Sequence, residues 1–352
     1  MTDKNLFLNR PKLYYKPARS IEPILDLALN ERAIDRLENL RNAADIRIPR
    51  RFLDNWPDVA LYHPKGDVEK AHALILNPED GAYDLDNKLN DMTGKEWTKF
   101  TCSWFIFNAI QSDLAEERSI SPDSQLHPAT YSPTMVESFI RFFTKEGDRV
   151  FDPFLGIGST TVAAKRTGRL GGGIELNPIY RDVAIMRTPE FTDQIFLGNS
   201  EKLDNYDIEP FEFSISSPPY WDVLNRSTKD FDRKRSRAGL HSKYSDDSSD
   251  LGNEPNYSQF IERTVGIYKK VIAKMTFGGH LVVIVKNVKK DGTLYPIAWD
   301  LARELGKHIT LKDEKIWIQD KVSLAPYGYP NAWASNILHH YCLIFQKNAE
   351  KK

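Results

Sequence analysis

From residue 132 onward the chain alternates between two hydrophobic periods. The segments SPTMVESFIRFFT, STTVAAKRTG, NPIYRDVAIMR, YSQFIERTVGIYKKVIAKM and PIAWDLARELGKH space their apolar residues like one face of a helix. Between them lie DRVFDPF, LGGGIEL, QIFLGN, FEFSIS, HLVVIVKNV, EKIWIQD and HHYCLIFQK, each of strand length. Such alternation predicts an α/β fold, a mostly parallel, doubly wound sheet covered on both faces. The last two strand segments have no helical pattern between them, which predicts an antiparallel hairpin at one edge.

Upstream the pattern is weaker. Residues 21–44 place Ile21, Ile24, Leu25, Ala28, Ile34, Leu37 and Leu40 near helical spacing, and Pro49 ends that stretch. Residues 46–100 mix short apolar pieces with Pro57, Pro64 and Pro78 and read as irregular, with strands or turns that the pattern does not locate. The chain thus divides into a mixed N-terminal region, 1–100, and an α/β domain, 101–349. A long polar insert, 225–256, interrupts that domain.

Composition narrows the class. Apolar residues make up 41% of the 352-residue chain, enough for a sizeable core. The longest clear apolar run, residues 281–285, is a strand's length, and the N-terminus lacks a secretory signal's apolar core, so no membrane role is expected. Two distant cysteines, Cys102 and Cys342, stand in no metal-ligand spacing. A reducing cytoplasm fits, and no metal site is expected. The net charge of −1 does not advertise nucleic-acid binding, but basic clusters occur. These are Arg47, Arg50 and Arg51; Arg233, Lys234, Arg235 and Arg237; and Lys286, Lys289 and Lys290. Taken alone, each reads as solvated surface.

Chemistry enters at RVFDPFLGIGSTTVAAKRTGRLGGGIELNP. A strand ends at Asp152, Gly156 and Gly158 form a tight turn, and a helix follows. Glu175 ends the next strand, where an acid can hydrogen-bond both hydroxyls of a ribose. Thr161 stands where a nicotinamide-binding turn places its third glycine, and no Walker lysine loop is present. A nucleoside without phosphates, bearing a charged amino-acid tail, fits better. Asp152 would pair with its ammonium group and Asn199, after the strand QIFLGN, would reach the adenine edge. Gly171, Gly172 and Gly173 read as a close helix–strand contact.

The strand FEFSIS runs into Ser217-Pro218-Pro219-Tyr220. Two prolines make a stiff bend without N–H donors but with carbonyl acceptors. A flat ring bearing an exocyclic amine suits it: the ring stacks on Tyr220, and the amine donates to the Ser217 hydroxyl oxygen and the Pro218 carbonyl. Two fixed acceptors favour a pyramidal nitrogen with a free lone pair, able to attack an electrophilic carbon held in line.

The motifs HPATYSP, DPFLGIGSTT, GIELNPIY, GNSEKL and SSPPYW, with VVIVKN and LIFQK, resemble those of the S-adenosylmethionine-dependent amino-methyltransferases of DNA, which act on cytosine N4 or adenine N6. The resemblance spans roughly residues 100–347 and implies a Rossmann-like methyltransferase fold. It implies that Asp152, Phe154, Gly156 and Gly158 line the methionine end of S-adenosylmethionine. Glu175 would hold the ribose, Asn199 would approach the adenine, and His127 and Pro128 would close over the cofactor. Ser217, Pro218, Pro219 and Tyr220 would be the catalytic bend, its serine favouring cytosine N4. Asn199 stands where aspartate is common, and the cofactor motifs precede the bend, unlike in many relatives with the HP motif. The short tail after the last strand leaves target recognition to residues 1–100 or to the insert. There Arg233, Lys234, Arg235 and Arg237 would meet DNA phosphates. An attacked base inside a duplex must be flipped out.

The implied activity is sequence-specific methylation of cytosine N4 in double-stranded DNA, with a cognate restriction endonuclease as a possible partner. Its rivals are adenine-N6 methylation, methylation of an RNA base, and a catalytically silent DNA-binding accessory subunit.

Overall fold

The computed structural model describes residues 60–62, 73–77, 81–84, 87–108, 113, 131–221, 250–322, 324–326, 330–331 and 333–348. The helical stretch read at 21–44 lies outside them. The chain divides into two compact units, residues 1–102 with 141–147, and residues 103–140 with 148–352.

The first unit holds structure that the sequence pattern did not locate. Strands β1 (Ala60–Tyr62), β2 (Ala73–Asn77) and β3 (Gly81–Asp84) form an antiparallel sheet in that order. Helix α1 (Gly94–Phe100) follows. Thr93 and Glu96 start it with a reciprocal capping box: the Glu96 N–H donates to Thr93 Oγ1 at 3.3 Å and the Thr93 N–H to Glu96 Oε2 at 2.8 Å. Phe100 stacks on Phe142 at 4.1 Å between ring centres.

The second unit is built on eight strands. In chain order its elements are β4 (Trp104–Ile106), α2 (Pro133–Phe143, whose last residues belong to the first unit), β5 (Arg149–Asp152), α3 (Ser159–Arg166), β6 (Leu170–Glu175), α4 (Pro178–Arg187), β7 (Ile195–Leu197), β8 (Phe211–Ser216), α5 (Tyr257–Lys274), β9 (Met275–Val285), the small hairpin β10 (Val288–Lys290) and β11 (Thr293–Tyr295), α6 (Ile297–Leu305), β12 (Thr310–Ile318) and β13 (His339–Gln346). The sheet order is β4-β12-β13-β9-β8-β5-β6-β7. Only β13 runs antiparallel to its neighbours, β9 and β12. This is the Rossmann-like doubly wound arrangement. The hairpin β12–β13 is present, and β4 pairs parallel with β12 to form the outermost strand.

Local signals explain the boundaries. Asn177 accepts the Ile179 N–H at 2.9 Å and Pro178 occupies the first turn, so α4 starts there. Asn256 caps α5 in the same way. Strand β9 starts five residues earlier than HLVVIVKNV suggests. Its register with β8 shifts between Phe211 and Phe213, and Gly278 and Gly279 absorb the shift. A Cβ on Gly279 would stand 2.6 Å from the Glu212 carbonyl oxygen.

The core is continuous beneath this sheet. Leu281, Val282, Val283, Ile284 and Val285 are all buried, as expected of a strand covered on both faces. Phe151 stacks on Phe211 at 4.9 Å across β5 and β8. Gly171 lies 3.1 Å, measured from an ideal Cβ, from the Thr161 backbone on α3, the close helix–strand approach that the glycine run implies.

Gly173 is the least forgiving of these positions. An added Cβ would meet the Asp152 carbonyl oxygen at 2.5 Å and Leu155 at 3.1 Å. Gly173→Ala should therefore destabilise the domain by roughly 1–3 kcal/mol, as overpacking does. Urea unfolding of the two proteins checks this, with an unchanged midpoint arguing against it.

Candidate active site

Strand direction reverses its progress across the sheet at β5: β6 and β7 extend to one side, β8 and β9 to the other. Ligands of doubly wound sheets bind at the carboxyl ends of such strands. Here the turns after β5, β6, β7 and β8 converge on one cleft, lined by Phe154, Gly156, Glu175, Asn199, Ser217, Pro219 and Tyr220, among others.

The turn after β5 is fastened to the end of β6. The Leu155 N–H donates to the Ile174 carbonyl at 3.0 Å. The Gly156 N–H donates to Glu175 Oε2 at 2.7 Å, and the Asn177 N–H to Oε1 at 2.8 Å. Gly156 and Gly158 adopt φ of 57° and 83°, the left-handed region that favours glycine. Each Glu175 oxygen thus accepts one backbone N–H and keeps acceptor capacity toward the cleft. Burial, with the charges of Asp250 and Asp152 nearby, raises the Glu175 carboxyl to about 7 despite those two N–H donors.

Asp152 is placed differently from the direct ammonium contact read from its position. It is fully buried. The Tyr131 and Thr160 hydroxyls lie 2.7 and 2.6 Å from its Oδ2 and 2.7 Å from each other, and the Phe154 N–H donates to Oδ1 at 2.8 Å. Tyr131 and Phe154 line the cleft, whereas Asp152, to which both donate, does not. Burial raises the carboxyl to about 6 against the hydrogen bonds that lower it. Gly158 also lies behind the cleft. Its Cβ position is 2.9 Å from Ala184 Cβ, so it serves the packing of α3 on α4.

Asn199 lines the cleft, but its amide is committed locally. Its Oδ1 accepts the Glu201 N–H at 2.7 Å and its Nδ2 donates to Glu201 Oε2 at 3.2 Å, capping the 3-10 turn Ser200–Asn205. Arg263 holds Glu201 in turn, at 2.7 Å.

At the bend, Ser217 Oγ and the Tyr220 hydroxyl are 2.8 Å apart. Pro218 is buried and Pro219 faces the cleft. The next residue, Trp221, has φ of 56°, a strained value for a bulky side chain. Its buried ring packs 5.2 Å from Tyr257 and 4.6 Å from Tyr295, which holds the bend from below. Tyr220 borders His340, their ring centres 5.8 Å apart, and His340 stacks on Trp317 at 4.3 Å.

Three participants escaped the sequence reading. Tyr131 lies inside HPATYSP, but nothing in that string says that its hydroxyl reaches Asp152. Asp113 receives hydrogen bonds from Ser132, from Thr134 Oγ1 at 2.8 Å and from Arg166 Nη1 at 3.1 Å, fixing the segment that carries Tyr131. Asp250 lines the cleft from the last part of the polar insert, where its D-L-G turn was the available signal. His127, Pro128, Arg233, Lys234, Arg235 and Arg237 lie outside the described residues.

Against this geometry the comparisons are informative. The family model described as DNA methylase (N6/N4) matches residues 50–186. Over those residues the chain is similar to this family. Type II methyltransferase M2.DpnII of Streptococcus pneumoniae is 43% identical over 141 residues, 39% of this chain and 44% of its own length. Type II methyltransferase M.MthZI of Methanothermobacter thermautotrophicus is 24% identical over 193 residues, 50% of this chain and 52% of its own. The chain thus spans about half or less of these relatives' length. Among solved structures, TrmN from Thermus thermophilus is similar with TM-score 0.41 and 13% identity, over 62% of this chain and 50% of that one.

The buried Asp152 makes a testable demand on pH. Its folded carboxyl titrates near 6, above its ordinary value of 3.8. The folded state therefore holds a proton that the unfolded chain releases first, and stability contributed by Asp152 is full below about 4 and lost as pH rises toward 6. An asparagine can face its oxygen to the Phe154 N–H and its amide to the two hydroxyls. Urea midpoints of Asp152→Asn and the parent at pH 4.5 and 8 should show the variant gaining on the parent at the higher pH, by at most about 3 kcal/mol. A constant difference across that range would count against the assignment.

Proposed function

We propose that the protein transfers the methyl group of S-adenosylmethionine to the exocyclic N4 amine of cytosine in double-stranded DNA. The observation that carries this reading is the composition of one cleft. The acid ending β6 and the Ser217–Tyr220 bend face the same space, and among the described residues its charged lining side chains are Glu175 and Asp250.

That donor set suits a cationic nucleoside. Glu175 offers two carboxylate oxygens with remaining acceptor capacity, as two ribose hydroxyls require. Phe154, Leu176 and Ile267 give apolar walls for a ring. Among the described residues no lysine or arginine lines the cleft, which disfavours a dinucleotide's pyrophosphate and favours a sulfonium and ammonium. Bound there, S-adenosylmethionine supplies an electrophilic methyl carbon.

The chain's own residues then prepare the amine. With Ser217 donating its proton to the Tyr220 hydroxyl, the Ser217 oxygen keeps its lone pairs for the N4 hydrogens. The Pro218 carbonyl is the second acceptor. Tyr220 provides the plate on which the flipped base lies, and its neighbours His340 and Trp317 restrict its movement. Fixed acceptors that need no rearrangement during the reaction are an effective source of rate.

The DNA methylase family favours DNA over RNA as substrate, and the intact bend disfavours a silent accessory role. Serine at the first position of the bend favours cytosine N4 over adenine N6. The insert residues Arg233, Lys234, Arg235 and Arg237 would meet DNA phosphates, and His127 and Pro128 would adjoin the cofactor. Residues 1–100 and the insert would read the target, and the names of the type II relatives suggest a cognate restriction endonuclease.

Two measurements test this. Duplex DNA of mixed sequence incubated with labelled S-adenosylmethionine, then digested, should yield labelled N4-methylcytosine; label in N6-methyladenine would transfer the reading to the adenine reaction, and no label in any DNA or RNA would remove it. Separately, Ser217→Ala should lower kcat by roughly 100-fold or more while cofactor affinity changes little, whereas Glu175→Ala should weaken cofactor affinity first. Calorimetric titration with the cofactor beside single-turnover rates distinguishes the two effects, and equal loss in both assays for Ser217→Ala would argue against its role.

A further inference from the structure

The lysine cluster after β9 separates into unlike members. Lys289 Nζ lies 2.9 Å from the Ser335 carbonyl oxygen, and Lys290 Nζ stands 4.6 Å over the Trp221 ring. Lys286 is only partly exposed, yet among the described residues no acceptor or carboxylate lies within bonding distance of its ammonium. Burial holds that ammonium below its ordinary range.

Its position is set by the ladder. Val285 pairs with Tyr341 and the strands are antiparallel, so Lys286 faces His340 at the carboxyl end of β9. His340 in turn adjoins Tyr220. Burial and the Lys286 charge push the His340 imidazole down to about 3, so it is neutral at physiological pH. Lys286 is therefore a half-buried cation, one side chain removed from the base plate, without a counter-charge among the described residues. A cation so placed is costly unless an anion completes it.

Resting on the functional reading above, we propose that Lys286 binds the backbone phosphate of the nucleotide whose base lies on Tyr220. A sugar separates base from phosphate, and the path from Tyr220 past His340 to Lys286 is a step of similar kind. The site takes a nucleotide phosphate and is separate from the acid-lined cofactor cleft.

The test uses the full chain and a duplex that the wild-type protein methylates. Affinity is measured by fluorescence anisotropy across a salt series. Lys286→Met and Lys286→Gln should bind about tenfold more weakly and lose about 0.9 from the slope of log K against log salt, one phosphate's share, while Lys286→Arg restores the slope. Cofactor affinity should be unchanged. An unaltered slope in both neutral variants, or a loss of cofactor affinity in place of DNA affinity, overturns the proposal. Absence of methylation of any duplex by the wild-type protein overturns the functional reading itself and this inference with it.

Discussion

The hydrogen bond from the Gly156 N–H to Glu175, at 2.7 Å, is the constraint on which the cofactor side of the site depends. It ties the loop after β5 to the last residue of β6, while Leu155 N–H to Ile174 O ties the backbones beside it. Without a Cβ, Gly156 reaches φ of 57° and aims its N–H at the carboxylate. The same arrangement draws Asp152 inward, because the turn that leaves β5 carries the Phe154 N–H back over it. One acid is left at the cleft and the other is sealed beneath Tyr131. Two carboxylates at the ends of adjacent strands, β5 and β6, thus acquire different work through their donors.

The opposite wall rests on aromatic packing. A bend that leaves a tryptophan at positive φ needs its surroundings to hold it. Tyr257, from the start of α5, and Tyr295, at the end of β11, supply that support. Ser216 meets Tyr268 of α5 at 2.8 Å, so both ends of the bend are fixed to elements that follow the polar insert. The order in sequence, with the bend before its supports, makes the geometry of Ser217 depend on completed packing of the later half of the sheet.

Much of this was legible in the residues. Periodicity placed the helices and the strands of the main sheet within residues 132–347, because parallel strands with crossover helices alternate two clear periods. It missed α1 and the strands β1, β2, β3, β4, β10 and β11, which at three to five residues are too short to establish a period. The start of β9 was placed too late because Gly278 and Gly279, which interrupt the apolar pattern, lie inside a strand at a register shift. Phe154, Gly156, Glu175, Asn199, Ser217, Pro219 and Tyr220 share one cleft, since motif and strand end coincide for each. Tyr131, Asp113 and Asp250 were invisible for the complementary reason. Their roles come from contacts 19 to 53 residues away in sequence, or from a turn within a long insert, and no local spacing encodes such pairings.

The bend also divides two electrostatic environments. On the β6 side stand Glu175 and Asp250; the Asp250 charge opposes ionisation of Glu175, and the pair favours a cationic occupant. On the β13 side stand neutral imidazoles and Lys286, which favour an anionic one. In the proposed reaction, methyl transfer from a sulfonium to a neutral amine would leave the first occupant an uncharged thioether and pass its charge to the nitrogen, which then releases a proton, while the backbone charge of the second occupant is untouched. On the proposed reading the acids would hold the cofactor more strongly before transfer than after it, whereas Lys286 would not distinguish methylated from unmethylated DNA. On the proposed reading, loss of that charge would favour release of the spent cofactor, and release of the modified base would come from the amine itself, whose added methyl group takes the place of one of the two hydrogens that Ser217 and Pro218 would accept.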